Sequence, residues 1–417
     1  MAWKETRKMD QKMEFAMKAL TCDNFRALCR EYGISAKTGY KWRKRFVQQG
    51  EAGLEDQSRR PRSHSRELSE TQTCEIVRLK QAHPHWGPRK IRVLYERKHP
   101  GDVPSESSFK RVLEKAGLVK ARRRRKAREG GRLSHGVKAE APNDVWTVDF
   151  KGWWKGRDGL RVEPLTVRDE HSYLLLEMRV VENTRTETIM ECFERIFERH
   201  GLPGAMRSDN GPPFASSNGL LGLSRLSCWW LALGIGLERG RPGCPQDNGR
   251  HERLHLDVFR ELEAGRVGRD QEAFDLWRME YNTVRPHEAL GMLTPSDLYR
   301  SSERKHEGTP ADLDYGSMQT RRVHPRCGSI NYGGERIRIS QSLGGWSVGL
   351  APTRNDLIEV WFASLLTGHI DPQTSSFKAA QPAPAGPATG HSADSATLHR
   401  PNGRGKPEEA GQPQPKV

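Results

Sequence analysis

A multidomain chain is expected from this sequence: all-α units first, then a mixed α/β core, a small β-barrel and a disordered tail. Three observations carry that expectation. Apolar residues recur at helical spacing as far as Leu118. From Asp144 the pattern changes to β-rich runs separated by glycine turns. From residue 372 the chain is rich in Pro, Ala, Gly and Ser, with one aromatic.

Residues 1–60 hold the first helical unit. In "NFRALCREYGISAKTGYKWRKRFV", 24–47, Phe25, Leu28 and Cys29 have helical spacing. Gly33 supplies a turn and Ser35 caps a second, basic helix. This is a helix-turn-helix pattern, and it makes Lys37, Thr38, Lys41, Arg43 and Lys44 candidates for DNA contact. A second such unit follows over 66–120. Its middle helix opens at "HWGPRKI" with Pro88 in the first turn, and its last starts at the Ser105 cap. Arg89, Lys90, Ser107, Lys110 and Arg111 are its candidate contacts. A basic linker, 121–140, comes next. Six of the eight residues 121–128 are Arg or Lys, and Arg122, Arg123, Arg124 and Arg125 suit a phosphate backbone.

The α/β core covers 141–305. "DVWTVDFKGWW" is β-rich, "VEPLTVRDEHSYLLLEMRVVE" reads as two strands, and "TRTETIMECFERIFERHG" is an amphipathic helix. "GAMRSDNGPPF" is a strand ending in a turn. The apolar run 220–237 contains Arg225 and is too short to span a bilayer, so it is read as buried. Asn248 is the expected cap of the helix after it. Residues 318–371 alternate between glycine turns as a β-barrel would, and 372–417 form the tail.

Composition narrows the function classes. The net charge of +16 suits a polyanionic partner, most simply double-stranded DNA. Seven scattered cysteines include no C-x-x-C pair, which excludes a disulfide framework and a cysteine zinc site and fits a reducing cytoplasm. No signal peptide or membrane span is expected.

Three carboxylates stand out. Asp149 interrupts an apolar strand, where a bare carboxylate needs a cationic partner or a metal. Asp209 ends another strand in a D-N-G turn, although such a turn is common by itself. Glu252 sits in the first turns of a helix, where an acidic residue also complements the helix terminus. Together they form a hard oxygen set suited to two Mg²⁺ or Mn²⁺ ions.

The ordered series of two helix-turn-helix units, "VWTVDFKG", "RSDNGPPF", "GCPQDNGRHERLH" and "YNTVRPHEALGMLTPSDLY" resembles the DDE transposases of bacterial insertion sequences. These carry the integrase catalytic core and are relatives of retroviral integrases. The resemblance runs over roughly 20–370. It implies an RNase H-like core with a mixed five-stranded sheet, and Asp149, Asp209 and Glu252 as the metal-binding triad. It also implies cutting at the element's terminal inverted repeats, joining of the 3′ ends to target DNA, a homo-oligomer on DNA and a place at the bacterial nucleoid. The chain departs from the family in two ways. The interval from Asp209 to Glu252 is longer than in the best-known members, and the zinc-binding His/Cys domain of retroviral integrases is absent, so no zinc is expected.

"HERLH", 251–255, also fits the H-E-x-x-H motif of zinc proteases. Two DNA-binding units, a polyarginine run and Asp149 have no use in a protease. His255 is instead expected to touch DNA phosphate or the attacking water, with His251 peripheral. The remaining alternative is a DNA-binding regulator with an inactive core, against which the three intact carboxylates argue.

Overall fold

The computed structural model describes residues 8–56, 68–119, 138–241 and 249–381. The run Arg122–Arg125, the Asn248 cap and the tail from 382 lie outside the described residues. Residues 1–74 and 75–417 form two compact units.

The first unit contains α1 (Lys8–Thr21), α2 (Phe25–Glu31) and α3 (Ala36–Gln49). Asn24 Oδ1 accepts from Ala27 N at 3.1 Å and Ser35 Oγ from Thr38 N at 3.2 Å, so both helix starts are capped as such residue types dictate. Gly33, at φ +64°, makes the turn between them. A Cβ on Gly39 would lie 2.5 Å from the Cys29 sulfur, so glycine is what lets α3 close onto α2. Phe15, Ala19, Leu28 and Cys29 form the core, and Lys37, Lys41 and Lys44 remain exposed on α3.

Next come α4 (Glu70–Ala82), α5 (Pro88–Lys98) and α6 (Glu106–Lys115). Pro88 opens α5, and Ser105 Oγ accepts from Ser108 N at 3.3 Å to cap α6. Ile76, Leu79, Ile91, Leu94, Phe109 and Leu113 are buried here.

The α/β core begins with β1 (Val145–Phe150), a small hairpin of β2 (Trp154–Lys155) and β3 (Arg161–Val162), then β4 (Pro164–Asp169) and β5 (Leu175–Val180). It continues with α7 (Thr186–His200), β6 (Ala205–Ser208), α8 (Arg225–Ala232), β7 (Gly236–Arg239), α9 (Gly249–Val258), α10 (Gln271–Thr283) and α11 (Pro295–Leu298). The strand order is β5-β4-β1-β6-β7, with β4 antiparallel to β1 and to β5 while β1, β6 and β7 run parallel. This is the expected mixed five-stranded, RNase H-like sheet.

Strand alternation sends Trp146 and Val148 to one face and Thr147 and Asp149 to the other. On the first face Trp146, Val148 and Leu165 pack with Phe193 and Phe197 of α7 and Trp229 and Trp230 of α8. Removing one of those buried rings costs roughly 3–5 kcal/mol. On the second face Leu175 and Met178 meet Leu254 and Val258 of α9 and Phe274, Trp277 and Tyr281 of α10. The apolar run 220–237 is indeed internal, with α8 buried throughout after its first residue.

The C-terminal strands are β8 (Gln319–Arg322), β9 (Ser329–Tyr332), β10 (Glu335–Arg338), β11 (Ser347–Pro352), β12 (Ile358–Phe362), β13 (Leu365–Asp371) and β14 (Ser376–Ala379). They form an antiparallel sheet of order β14-β13-β12-β11-β8 and a separate β9–β10 hairpin, rather than one hydrogen-bonded barrel. The sheet also outruns the expected limit at 371. β14 pairs with Gly368–Asp371, and Phe377 covers Gly368, where a Cβ would lie 2.6 Å from its ring. The tail's one aromatic thus belongs to the fold. No described helix is long and apolar enough to cross a membrane.

Candidate active site

Parallel pairing of β1 with β6 brings the two aspartates together. The register sets Val145 opposite Ala205, Trp146 opposite Met206 and Thr147 opposite Arg207, and its continuation sets Asp149 opposite Asp209. Asp209 follows the last residue of β6, and its Oδ1 accepts from Gly211 N at 3.1 Å, which tightens the D-N-G turn. Glu252 comes from α9, in its first turn, and is exposed. Burial, followed by the charges of Asp209 and Glu252, pushes the Asp149 carboxyl up to about 7. Asp149 thus feels the other two carboxylates, yet among the described residues no three such groups share a coordination sphere.

The helix bearing Glu252 is bolted to the sheet by the histidines on its other face. His251 is fully buried, which corrects the expectation that it is peripheral. Its Nε2 lies 2.7 Å from Thr166 Oγ1 and its Nδ1 2.9 Å from Thr147 Oγ1. His255 Nε2 lies 3.0 Å from the same Thr166 hydroxyl. Thr166 has a single proton and donates it to Asp149 O at 2.9 Å. Burial first, then nearby cations, drives both histidines towards the neutral form, His255 to about 3. His255 is half-buried, and its Nδ1 stands 3.9 Å from Asp149 Oδ2. The i,i+4 spacing of the histidines puts both on the sheet side, and Glu252, one residue on from His251, turns outward.

A buried ion network anchors the start of α9. Arg168 Nη1 donates to Arg250 O at 2.9 Å and Nη2 pairs with Glu170 at 2.7 Å. Glu170 also pairs with Arg250 at 3.1 Å and Arg207 at 3.5 Å, and Arg207 with Glu238 at 2.7 Å. Thr147, Thr166, Arg168 and Glu170 were not singled out in the sequence. Their signal was polar residues inside the apolar strands "VWTVDF" and "PLTVRD".

Comparison with known proteins bears on this arrangement. Residues 233–295, which include Glu252, match the integrase core domain family. Residues 11–62 match a helix-turn-helix domain and 38–113 a homeodomain-like domain. The "Insertion element IS407 uncharacterized 31.7 kDa protein" of Burkholderia multivorans (strain ATCC 17616 / 249) is 29% identical over 252 residues, 58% of this chain and 83% of that protein. The "Insertion element IS476 uncharacterized 39.2 kDa protein" of Xanthomonas euvesicatoria is 26% identical over 243 residues, 55% of this chain and 66% of that protein. Among solved structures, the catalytic core domain of BIV integrase is 25% identical, covering 38% of this chain and 93% of that one at a TM-score of 0.30. The chain thus carries a match to the integrase core domain and is similar to proteins of bacterial insertion elements.

The chain presents most of its expected DNA contacts to solvent. Ser107, Lys110 and Arg111 are exposed on α6, and Arg89 is exposed while paired with Glu106 at 2.7 Å. On α3, Thr38 is half-buried against Ser35 and Arg43 lies over the Phe25 ring at 5.7 Å. Lys90 is a correction. It is half-buried beside Arg285, and burial followed by that charge lowers its ammonium to about 8.

The raised Asp149 carboxyl sets a pH prediction for the metal-free protein. Below about pH 4 the group is protonated folded or unfolded, and it contributes nothing to the pH dependence. As pH rises towards 7 the unfolded chain ionises first, so stability falls, and the loss is complete above the folded value. Asp149→Asn should remove that slope and raise stability at pH 8 by on the order of 2 kcal/mol, after discounting for the group's residual exposure. Urea unfolding in EDTA at pH 5 and pH 8 checks this. A variant less stable than wild type at pH 8 contradicts it.

Proposed function

We propose that this chain is a transposase that cuts DNA at the ends of its insertion sequence and joins the freed 3′ ends to target DNA, with Asp149, Asp209 and Glu252 as the catalytic carboxylates. The observation that carries this reading is Asp149. It is a central-strand carboxylate held near pKa 7 by burial and by two acids from separate elements. Such a group suits a site built to take divalent cations, and an all-oxygen donor set suits Mg²⁺ or Mn²⁺. Two such ions, when bound, polarise the attacking and leaving oxygens of the phosphodiester.

The chain's own residues do the rest. Asp149 and Asp209 lie at the C-terminal ends of the neighbouring inner strands β1 and β6, and Glu252 comes from α9. The Thr166 hydroxyl holds the Asp149 main chain. Catalysis is positioning and charge neutralisation, with no covalent nucleophile from the protein. DNA is the partner that the helical units and the charge of +16 fit, with the terminal inverted repeats as the specific site. Two ends must meet, which requires an oligomer on DNA.

The test incubates purified protein with a plasmid carrying the gene and its flanks, in Mg²⁺, Mn²⁺, Zn²⁺ or EDTA. Nicks with 3′-OH ends at the gene's borders, dependent on Mg²⁺ or Mn²⁺, are expected. Tight border binding without cleavage in any metal would instead favour a regulator.

Lys37, Lys41 and Lys44 form one exposed stripe on α3. Changing all three to Ala should weaken binding to every sequence and flatten the slope of log affinity against log salt by up to about 3. Fluorescence anisotropy over a salt series measures it, and an unchanged slope removes α3 from the phosphate contacts.

A further inference from the structure

Two motifs remain without a role in the reading above: "HPHWGPRK", 83–90, and "YNTVRPHEALG", 281–291. They meet. Lys80, buried, donates Nζ to Pro84 O at 2.6 Å and to Trp86 O at 2.7 Å, which folds the turn before α5 into a knob. Trp86 is 3% exposed, with the His83 ring stacked on it at 4.1 Å. The Arg285 guanidinium, also 3% exposed, lies 5.6 Å from the Trp86 ring and 5.7 Å from that of Tyr281. It pairs with Asp257 at 2.9 Å and Glu261 at 3.3 Å. Asp257 belongs to α9, five residues after Glu252. At the rim Arg97 donates to Val284 O at 2.9 Å and His83 pairs with Glu280 at 2.9 Å.

We propose that Trp86 and Arg285 are positioning residues, a joint that holds the α5–α6 DNA reader at a fixed distance from the catalytic helix. A buried indole against a buried guanidinium that is itself ion-paired to α9 leaves little freedom between reader and carboxylates. Trp86 and Arg285 touch no DNA and no reacting atom in this scheme. They determine which phosphate reaches Asp149, Asp209 and Glu252. The inference rests on the proposed function, since it needs a reader of DNA and a centre that cuts.

The test uses full-length wild type, Trp86→Ala, the stack-preserving Trp86→Phe, and a His83→Ala/Arg97→Ala double variant that weakens the rim without opening the core. Each is given an end-labelled duplex of the gene's border with Mn²⁺. Cut positions are mapped to the nucleotide, and duplex affinity and thermal melting are measured alongside. Trp86→Phe should cut as wild type does. Trp86→Ala should keep its affinity within about threefold and lose roughly 10- to 100-fold at the wild-type phosphate, with cuts spread onto neighbouring phosphates. The double variant should spread cuts in the same direction, and it decides the matter if Trp86→Ala fails to fold. Cutting by both variants at the wild-type phosphate alone overturns the inference.

Hydrogen exchange of α9 separates this from failure of the underlying function. Border DNA should slow α9 exchange in wild type and Trp86→Phe, but not in Trp86→Ala or the double variant. If wild type cuts nothing, the cleavage reading falls and exchange alone decides the joint. Equal protection of α9 in all four proteins overturns it.

Discussion

Glu252→Gln should bind border DNA with wild-type affinity and cut it roughly a thousandfold more slowly or worse. The carboxylate is exposed in the first turn of α9 and makes no hydrogen bond or ion pair among the described residues. The amide keeps its shape and removes its charge. What disappears is one anionic oxygen ligand, and metal-centred charge stabilisation is worth several kcal/mol, each 1.4 kcal/mol being about tenfold in rate. Nicking rates in Mn²⁺ and anisotropy on the same duplex give the two halves of the result. A variant that cuts within tenfold of wild type would remove Glu252 from the triad. A variant that loses DNA binding as well would move it to the DNA interface.

His251→Ala should instead unfold the core. The ring is fully buried and hydrogen-bonded on both nitrogens to Thr147 and Thr166. Its removal leaves a cavity, takes a partner from the Thr147 and Thr166 hydroxyls and detaches α9 from the sheet. The cost is roughly 3–5 kcal/mol. It should appear as a lower urea midpoint and as loss of cutting, because Glu252 then has no fixed place. His255→Ala, at a partly exposed ring, should cost less stability and still impair cutting through Asp149. A His251→Ala protein that melts like wild type would show that the histidine bolt does not hold α9.

Much of the architecture was legible in the sequence because short-range chemistry dictates it. The Ser35 and Ser105 caps, the Gly33 turn and Pro88 at the start of α5 are local rules, and each stands where the residue types put it. The alternation in "VWTVDF" marks β1 as a strand with one apolar face and one polar. The isolated acid in that strand singled out Asp149, because a carboxylate among apolar neighbours demands a partner wherever the chain runs.

The rest depended on what the elements meet. His251 and His255 looked like a zinc pair or surface groups, because helical spacing fixes which residues share a face and not what that face lies against. That face lies on two threonine hydroxyls, one from β1 and one from β4. Lys90 looked like a DNA contact until α5 turned it towards Arg285. Phe377 looked like part of a polar tail, yet a glycine 9 residues earlier, Gly368, lets its ring cover the last strand pair. The sequence by itself determined which segments are helix or strand and which acids are out of place. Only the tertiary structure decided which face of α9 is buried, which cations point inward and how the reader meets the core, because those contacts join residues 80 to 200 positions apart.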